Sequence, residues 1–231
     1  MKIGIMQPYF LPYIGYWQLL GAVDTFVVYD NIQYTKKGWI NRNRFLQNGQ
    51  DALFTIPLKQ DSDFLNVADR SIADSFDRKK LLNQFSSAYR KAPFFNEVFP
   101  LFTEVVCSGQ KNLFEYIYGS IVAVREFLRI KTPLAISSSL NIDHSLRSEA
   151  KVMAICKELG ATQYLNPSGG RELYSKETFL EQGIELGFIQ TRPIVYSQFG
   201  NAFVPSLSII DVMMFNSREA ITAMLTEYDV S

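Results

Sequence analysis

The sequence predicts an α/β fold, on three observations. Short apolar runs rich in β-branched residues stand at Lys2–Met6 and Thr25–Tyr29, the pattern of buried parallel strands. A segment with helical spacing lies between them, so strand, helix and strand follow within about 30 residues, as in a βαβ unit. The second half repeats the alternation as strand, helix, strand, loop, helix, strand. One Rossmann-like, mostly parallel sheet with helices on both faces satisfies all three. The 231 residues are expected to form a single α/β domain over 1–231, with an inserted helical cap at about residues 76–130.

The elements follow in order. Gly15 to Val23 carries a helix with Tyr16, Leu19, Leu20 and Val23 on one face. RNRFLQNGQDALFTIPLK is a hairpin turning at Asn48-Gly49, the dipeptide that accepts two positive φ angles. SFDRKKLLNQFSSAYRKAPFF has Ser75 or Asp77 as a cap candidate and Leu81, Leu82, Phe85, Ala88 and Tyr89 on one face. KNLFEYIYGSIVAVREFLRI repeats that spacing, and PLAISSSL is a strand. SLRSEAKVMAICKELGA is an amphipathic helix stopped by Gly160. TQYLNPSGG is a short strand and turn, and ETFLEQGIELGFIQTRP continues as helix, glycine stop and strand. SLSIIDVMMFNSREAITAML closes the chain with helices.

Composition removes several function classes. The 23 basic and 23 acidic residues balance, so no basic footprint for nucleic acid is present. No run of ~18 apolar residues exists to span a membrane, and the chain is expected to be cytoplasmic. Cys107 and Cys156 have no metal spacing and are expected to be buried free thiols; no metal site is predicted. The single histidine, His144, precedes a helix and is expected to sit at its start.

Chemistry-bearing residues gather after the strands. In parallel sheets ligands bind beyond the carboxyl ends of strands. The first such block holds Gln7, Tyr9, Tyr13 and Tyr16. Two readings stand for it: Pro8 and Pro12 set a rigid turn with rings packed beneath the inserted helices, or the rings stack on a ligand that Gln7 hydrogen-bonds. YDNIQYTKKGWINRNRF follows the second strand. Asp30 there either ties the loop to an arginine or faces a ligand, and Trp39 near two arginines suits an anionic, ring-bearing molecule. Strand alternation puts Asn41 and Asn43 on one face and Arg42 and Arg44 on the other. A third block, LNPSGGRELY, offers Asn166, Ser168, Gly169 and Gly170, whose backbone N–H groups can approach an anion. Asp211 in SIIDVMMFN sits in a very apolar helix, so it must be paired.

Two resemblances add to this reading. Phe10-Leu11-Pro12-Tyr13-Ile14-Gly15-Tyr16 resembles the nucleotide-binding loop of class I nucleotidyltransferases and pantothenate-synthetase-like enzymes, with Tyr13 and Tyr16 at the positions of two phosphate-contacting histidines. Tyrosine donates a hydrogen bond but carries no charge, so cations would come from Lys36, Lys37, Arg42 or Arg44. Across the whole chain, IGIMQPYFLPYIGYWQLL, FVVYDNIQYTKKGWINRNRF, LNPSGGRELY and SLSIIDVMMFN together resemble the WbqC-like family. That resemblance implies a bacterial protein encoded near surface-polysaccharide and amino-sugar genes. It also favours Arg42 over Arg44, since Arg42 lies in the family-like core of its block.

The expectation is a transferase of surface-glycan (O-antigen type) synthesis, moving an acyl or aminoacyl group to a nucleotide-activated amino sugar. Arg42 and Lys37 hold phosphates. Tyr13, Tyr16 and Trp39 stack on or bond the ligand, Gln7, Asn41 and Asn166 orient it, and Asp211 orients a cation. A nucleotide, ATP or a sugar nucleotide, with Mg²⁺ is the cofactor this scheme allows. The expected partner is a small-molecule substrate, and a homodimer is compatible with it. The alternative is a non-catalytic sugar-nucleotide-binding accessory of a polysaccharide complex.

Overall fold

The computed structural model describes residues 1–231. Five parallel strands form the sheet: β1 (Lys2–Met6), β2 (Thr25–Val28), β5 (Leu134–Ile136), β6 (Gln163–Pro167) and β7 (Glu185–Thr191). A sixth, β8 (Tyr228–Val230), pairs antiparallel with β7, and the order is β5-β2-β1-β6-β7-β8. This is the doubly wound, Rossmann-like arrangement, with its reversal of strand order between β1 and β6. The helical spacing that closes the sequence gives no sign of β8, so the expectation of helices alone at this end is corrected here. Three residues carry too little pattern, and Asp229 within them is polar because it pairs with Arg192 at the surface. Gln18 secures this end from α1 (Ile14–Gly21): its amide donates to Met224 O at 2.8 Å and Glu227 O at 3.0 Å.

Alternation along the strands sorts side chains onto two faces. Ile3, Ile5, Val27, Tyr164, Leu186 and Phe188 join α5 (Ser148–Glu158) and α6 (Lys176–Glu181) in a core of 13 buried residues. Phe26, Val28 and Leu165 face the other way, into a core of 42. That second core is the larger because the chain between β2 and β5 packs there. It supplies the hairpin β3 (Arg42–Gln47)/β4 (Gln50–Thr55) and three helices, α2 (Arg78–Tyr89), α3 (Phe95–Val106) and α4 (Leu113–Phe127). Helices α7 (Ile209–Phe215) and α8 (Arg218–Met224) complete it. Asn48 and Gly49 turn the hairpin at φ 52° and 77°. Cys107, expected to be buried, instead caps the solvent-facing end of α3; Cys156 is buried.

Phenylalanine explains how the hairpin joins the helices. Phe85 of α2 stacks on Phe45 at 4.6 Å and Phe102 at 4.2 Å, and meets Phe54 edge-on at 5.1 Å. Phe54 in turn meets Phe10, in the loop after β1, at 6.1 Å. Each buried phenylalanine contributes about 1.5–3 kcal/mol, so this column glues the loop to the insertion.

Asn43 completes the attachment. Its amide donates to Leu11 O at 2.7 Å and Phe10 O at 3.3 Å, and its Oδ1 accepts from the Arg44 N–H at 2.8 Å. Asn43→Ala strands these buried groups and should lower stability by about 1–3 kcal/mol. For a chain of this size that is a fall of roughly 2–12 °C in Tm, measurable by calorimetry.

Candidate functional site

Loops leaving the carboxyl ends of β1 and β6 wind toward opposite faces and leave a crevice between them. A lobe of about 600 Å³ opens there. Its walls come from every parallel strand end nearby: Gln7 and Tyr9 after β1, Tyr29, Asn31 and Gln33 after β2, and Asn166, Gly169 and Gly170 after β6. Asn66, Arg147, Glu149 and Tyr174 close it. A second lobe of about 350 Å³ is lined by Tyr13, Tyr16, Trp39, Asn43 and Arg44. Met6, Tyr9 and Pro167 line both, so the two lobes adjoin at the ends of β1 and β6. Another hollow of about 380 Å³, around Asp74, Arg78 and Cys107, is lined by none of the strand-end loops.

Close packing sets the polar groups. The Asn166 amide nitrogen lies where a side chain at position 170 would begin, so any residue larger than glycine there would push the Asn166 amide out of its place. The Asn166 Oδ1 accepts from the Tyr164 hydroxyl at 3.2 Å, which leaves its N–H₂ for the lobe. The residues after Pro167 form a 3-10 turn, Ser168–Leu173. Across the lobe, α5 starts at Ser148 with no side-chain cap. Ser148 has φ 49°, a conformation that costs energy in any residue but glycine. Glu149 of this first turn accepts from the Ser175 N–H at 2.8 Å.

Beneath α5 a buried network joins β2 to the turn after β5. The Asp30 carboxylate accepts from Ser137 Oγ at 2.8 Å and the Ser138 N–H at 2.9 Å. Asn31 lies 3.0 Å from His144 Nδ1, and the other ring nitrogen lies 3.1 Å from Leu140 O. Lys151 is fully buried, with its ammonium 5.1 Å from the centre of the Tyr29 ring and 3.5 Å from Asn31 O. Burial, aided by the charge of Arg147, holds its pKa below the usual lysine value, while Asp30 opposes the shift. Burial also raises the hydroxyls of Tyr9 and, far more, Tyr16, so both stay protonated donors at neutral pH.

The structure gathers Gln7, Tyr9, Asn166, Gly169 and Gly170 at one lobe, and Tyr13, Tyr16, Trp39 and Asn43 at the other. Five expected residues stand elsewhere, and Ser168 is adjacent to the large lobe without lining it. Lys37 is exposed and lines neither lobe. Arg42 donates to Gly38 O at 2.8 Å and rests 5.9 Å from Trp39, outside both lobes. Its strand neighbour Arg44 lines the small lobe instead, 5.4 Å from the same ring. Asn41 has its amide bonded to Ile56 O and its oxygen to the Tyr34 hydroxyl, so it serves the fold. Asp30 binds serine rather than an arginine, as above. Asp211 faces no cation: it accepts from Tyr89 at 2.8 Å, Tyr196 at 2.7 Å and Gln198 at 2.7 Å, fully buried. Burial raises its pKa, and those three donors pull it back.

Sequence reasoning missed Arg147, Glu149 and Lys151. Two signals were available. Their segment follows the carboxyl end of a parallel strand, as the three chosen blocks do. Lys151 also stands four residues before Ile155, on the helix face that the apolar pattern buries.

Fold and site together define a Rossmann-like α/β protein with a two-lobed cleft at the point where strand order reverses. The chain belongs to the WbqC-like protein family, whose model matches residues 7–223. It is 25% identical over 222 residues to the uncharacterized protein Rv1507c of Mycobacterium tuberculosis, covering 95% of each chain. No solved structure gives a significant match. No helix is long and apolar enough to cross a membrane.

The lowered Lys151 pKa has a consequence with a definite sign. Between that value and the unfolded value of about 10.4, the unfolded chain binds more protons, so stability from this group rises with pH. Lys151→Met removes the effect. Denaturant unfolding of both proteins should show the wild type gaining on the variant from pH 8 to pH 10.

Proposed function

We propose that this protein is a transferase of bacterial surface-glycan synthesis, moving an acyl or aminoacyl group onto a nucleotide-linked amino sugar. The observation that carries the reading is the lining of the large lobe. Gln7, Gln33, Asn66 and Asn166 bring four neutral amides to one space beside Tyr9, Tyr29 and Tyr174, while Asn31 in the same wall is tied to Ser137 and His144. Amides both donate and accept, which matches sugar hydroxyls, and tyrosine rings cover the apolar face of a hexose. Arg147 beside the start of α5 supplies positive charge for a phosphate. Membership of the WbqC-like family supports the pathway through the expectation that the resemblance carries, of a protein encoded near surface-polysaccharide and amino-sugar genes.

In the transfer, the sugar amine attacks the acyl carbonyl, a C–N bond forms, and the bond to the donor's leaving group breaks. Glu149, the carboxylate of the lobe, takes the amine proton. The engagement of Glu149 with the Ser175 N–H favours a second reading, a binding accessory without turnover, because one carboxylate oxygen is already committed to holding the fold.

An amino-sugar nucleotide at about 100 times its Kd should stabilise the protein by about 2.7 kcal/mol, a Tm rise of roughly 5–10 °C. Absence of a shift with every nucleotide, sugar nucleotide and acyl-nucleotide would refute the reading. Glu149→Gln should keep the shift and lose product formation, followed by mass spectrometry of the acylated sugar. Binding by the wild type without product from any acyl donor selects the accessory.

A further inference from the structure

We propose that the small lobe is a pyrimidine-base site, which takes a carbonyl-bearing base such as uracil while the large lobe holds the sugar. The inference rests on the nucleotide-sugar reading and adds the identity of the base. Three features carry it.

The first is shape and wall chemistry. Tyr9, Tyr13, Tyr16 and Trp39 surround the lobe, and a planar heteroaromatic ring stacks on such walls at about 1–3 kcal/mol per base. The Arg44 guanidinium lies 5.4 Å from the Trp39 ring, at the edge where a base would lie.

The second is a buried donor with nothing to bond. Tyr16 is 2% exposed, and its hydroxyl has no hydrogen-bond partner in the protein. A buried hydroxyl left unpaired costs free energy, and a ligand carbonyl would recover it. Tyr9 lines both lobes with its ring centre 6.0 Å from that of Tyr16, so the two rings share the wall on which a base would lie. Arg44 Nε is likewise buried without a partner. Asn43, by contrast, has its amide bonded to Phe10 O and Leu11 O and reads nothing. The free groups of the lobe are therefore mostly donors. Uracil and thymine present two carbonyl oxygens to such donors, whereas adenine accepts only at ring nitrogens and brings a donor amine of its own.

The third is continuity. Met6, Tyr9 and Pro167 line both lobes, so one molecule can extend from the base site to the amide-lined sugar site.

Isothermal titration of the full chain with UMP, AMP and N-acetylglucosamine 1-phosphate tests this. UMP should bind at least about tenfold more tightly than AMP. Tyr16→Phe should weaken UMP about three- to tenfold, leave the sugar phosphate unchanged, and not lower the Tm of the free protein, because the lost hydroxyl had no partner. Trp39→Ala removes a half-exposed wall and should weaken UMP about fivefold or more; it decides the question if Tyr16→Phe does not fold. The proposal is overturned if AMP equals UMP, or if neither variant changes UMP affinity. Binding of the sugar phosphate without UMP overturns the base site and leaves the sugar cleft standing. Binding of neither overturns both.

Discussion

A buried loop without regular structure must still satisfy its backbone, and the rest of this site depends on how that is done after β1. Phe10, Leu11 and Pro12 turn three carbonyls into the protein interior, and Leu11 takes φ 48°. Unpaired, each carbonyl would cost about 1–3 kcal/mol. Donors arrive from far along the chain: Asn43 for Phe10 and Leu11, Ser208 Oγ for Leu11 at 2.8 Å, and the Ile209 N–H for Pro12 at 3.0 Å. Trp17 Nε1 adds a local bond to Pro12 O at 3.1 Å. The Phe10 N–H donates to Ile40 O at 2.9 Å. The loop is thereby fastened to the hairpin and to α7 at once. Tyr9, Tyr13 and Tyr16 hold their places because the backbone between them does.

A second buried network keeps those anchors in register. The Leu46 N–H donates to the Tyr89 hydroxyl at 2.8 Å, and that hydroxyl donates to Asp211. Tyr196 and Gln198 donate to the same carboxylate, while Gln198 also bonds Val204 at both its N–H and carbonyl. Hairpin, α2, α7 and the 196–204 loop thus meet at one charge held by neutral donors. The Ser208 N–H, one turn away, donates to Arg44 O at 2.8 Å and brings the hairpin back to the opening loop. Asp211 is structural in this geometry, since all of its strong interactions run inward.

What could be read in advance depended on whether the signal was local. Strands β1, β2 and β6 announce themselves through short apolar runs, and Asn48-Gly49 through the backbone freedom its turn demands. The convergence of loops after β1, β2 and β6 follows from parallel strands alone. Long-range facts were hidden. The donors to Asp211 lie at 89, 196 and 198, and no spacing rule links those positions. Alternation groups Arg42 with Arg44, apart from Asn41 and Asn43, so it could not choose between the two arginines; that choice needed the position of the small lobe, which Arg44 lines. Strand β8 owes its form to β7 rather than to its own three residues. Lys151 was visible as a charge on a buried helix face, yet its purpose depends on Tyr29 and Asn31, over a hundred residues earlier.

The central claim is that the loop after β1 is held in place before any ligand arrives. Residue-resolved hydrogen exchange on the free protein tests it at three amides: Phe10, Ser208 and Ile209. The account predicts that they exchange as slowly as Ile3 and Ile5 of β1, because each N–H is bonded across a buried contact between distant segments. Exchange at the rate of an exposed loop amide such as Lys37 would contradict it, and would mean that the site forms only when a ligand binds.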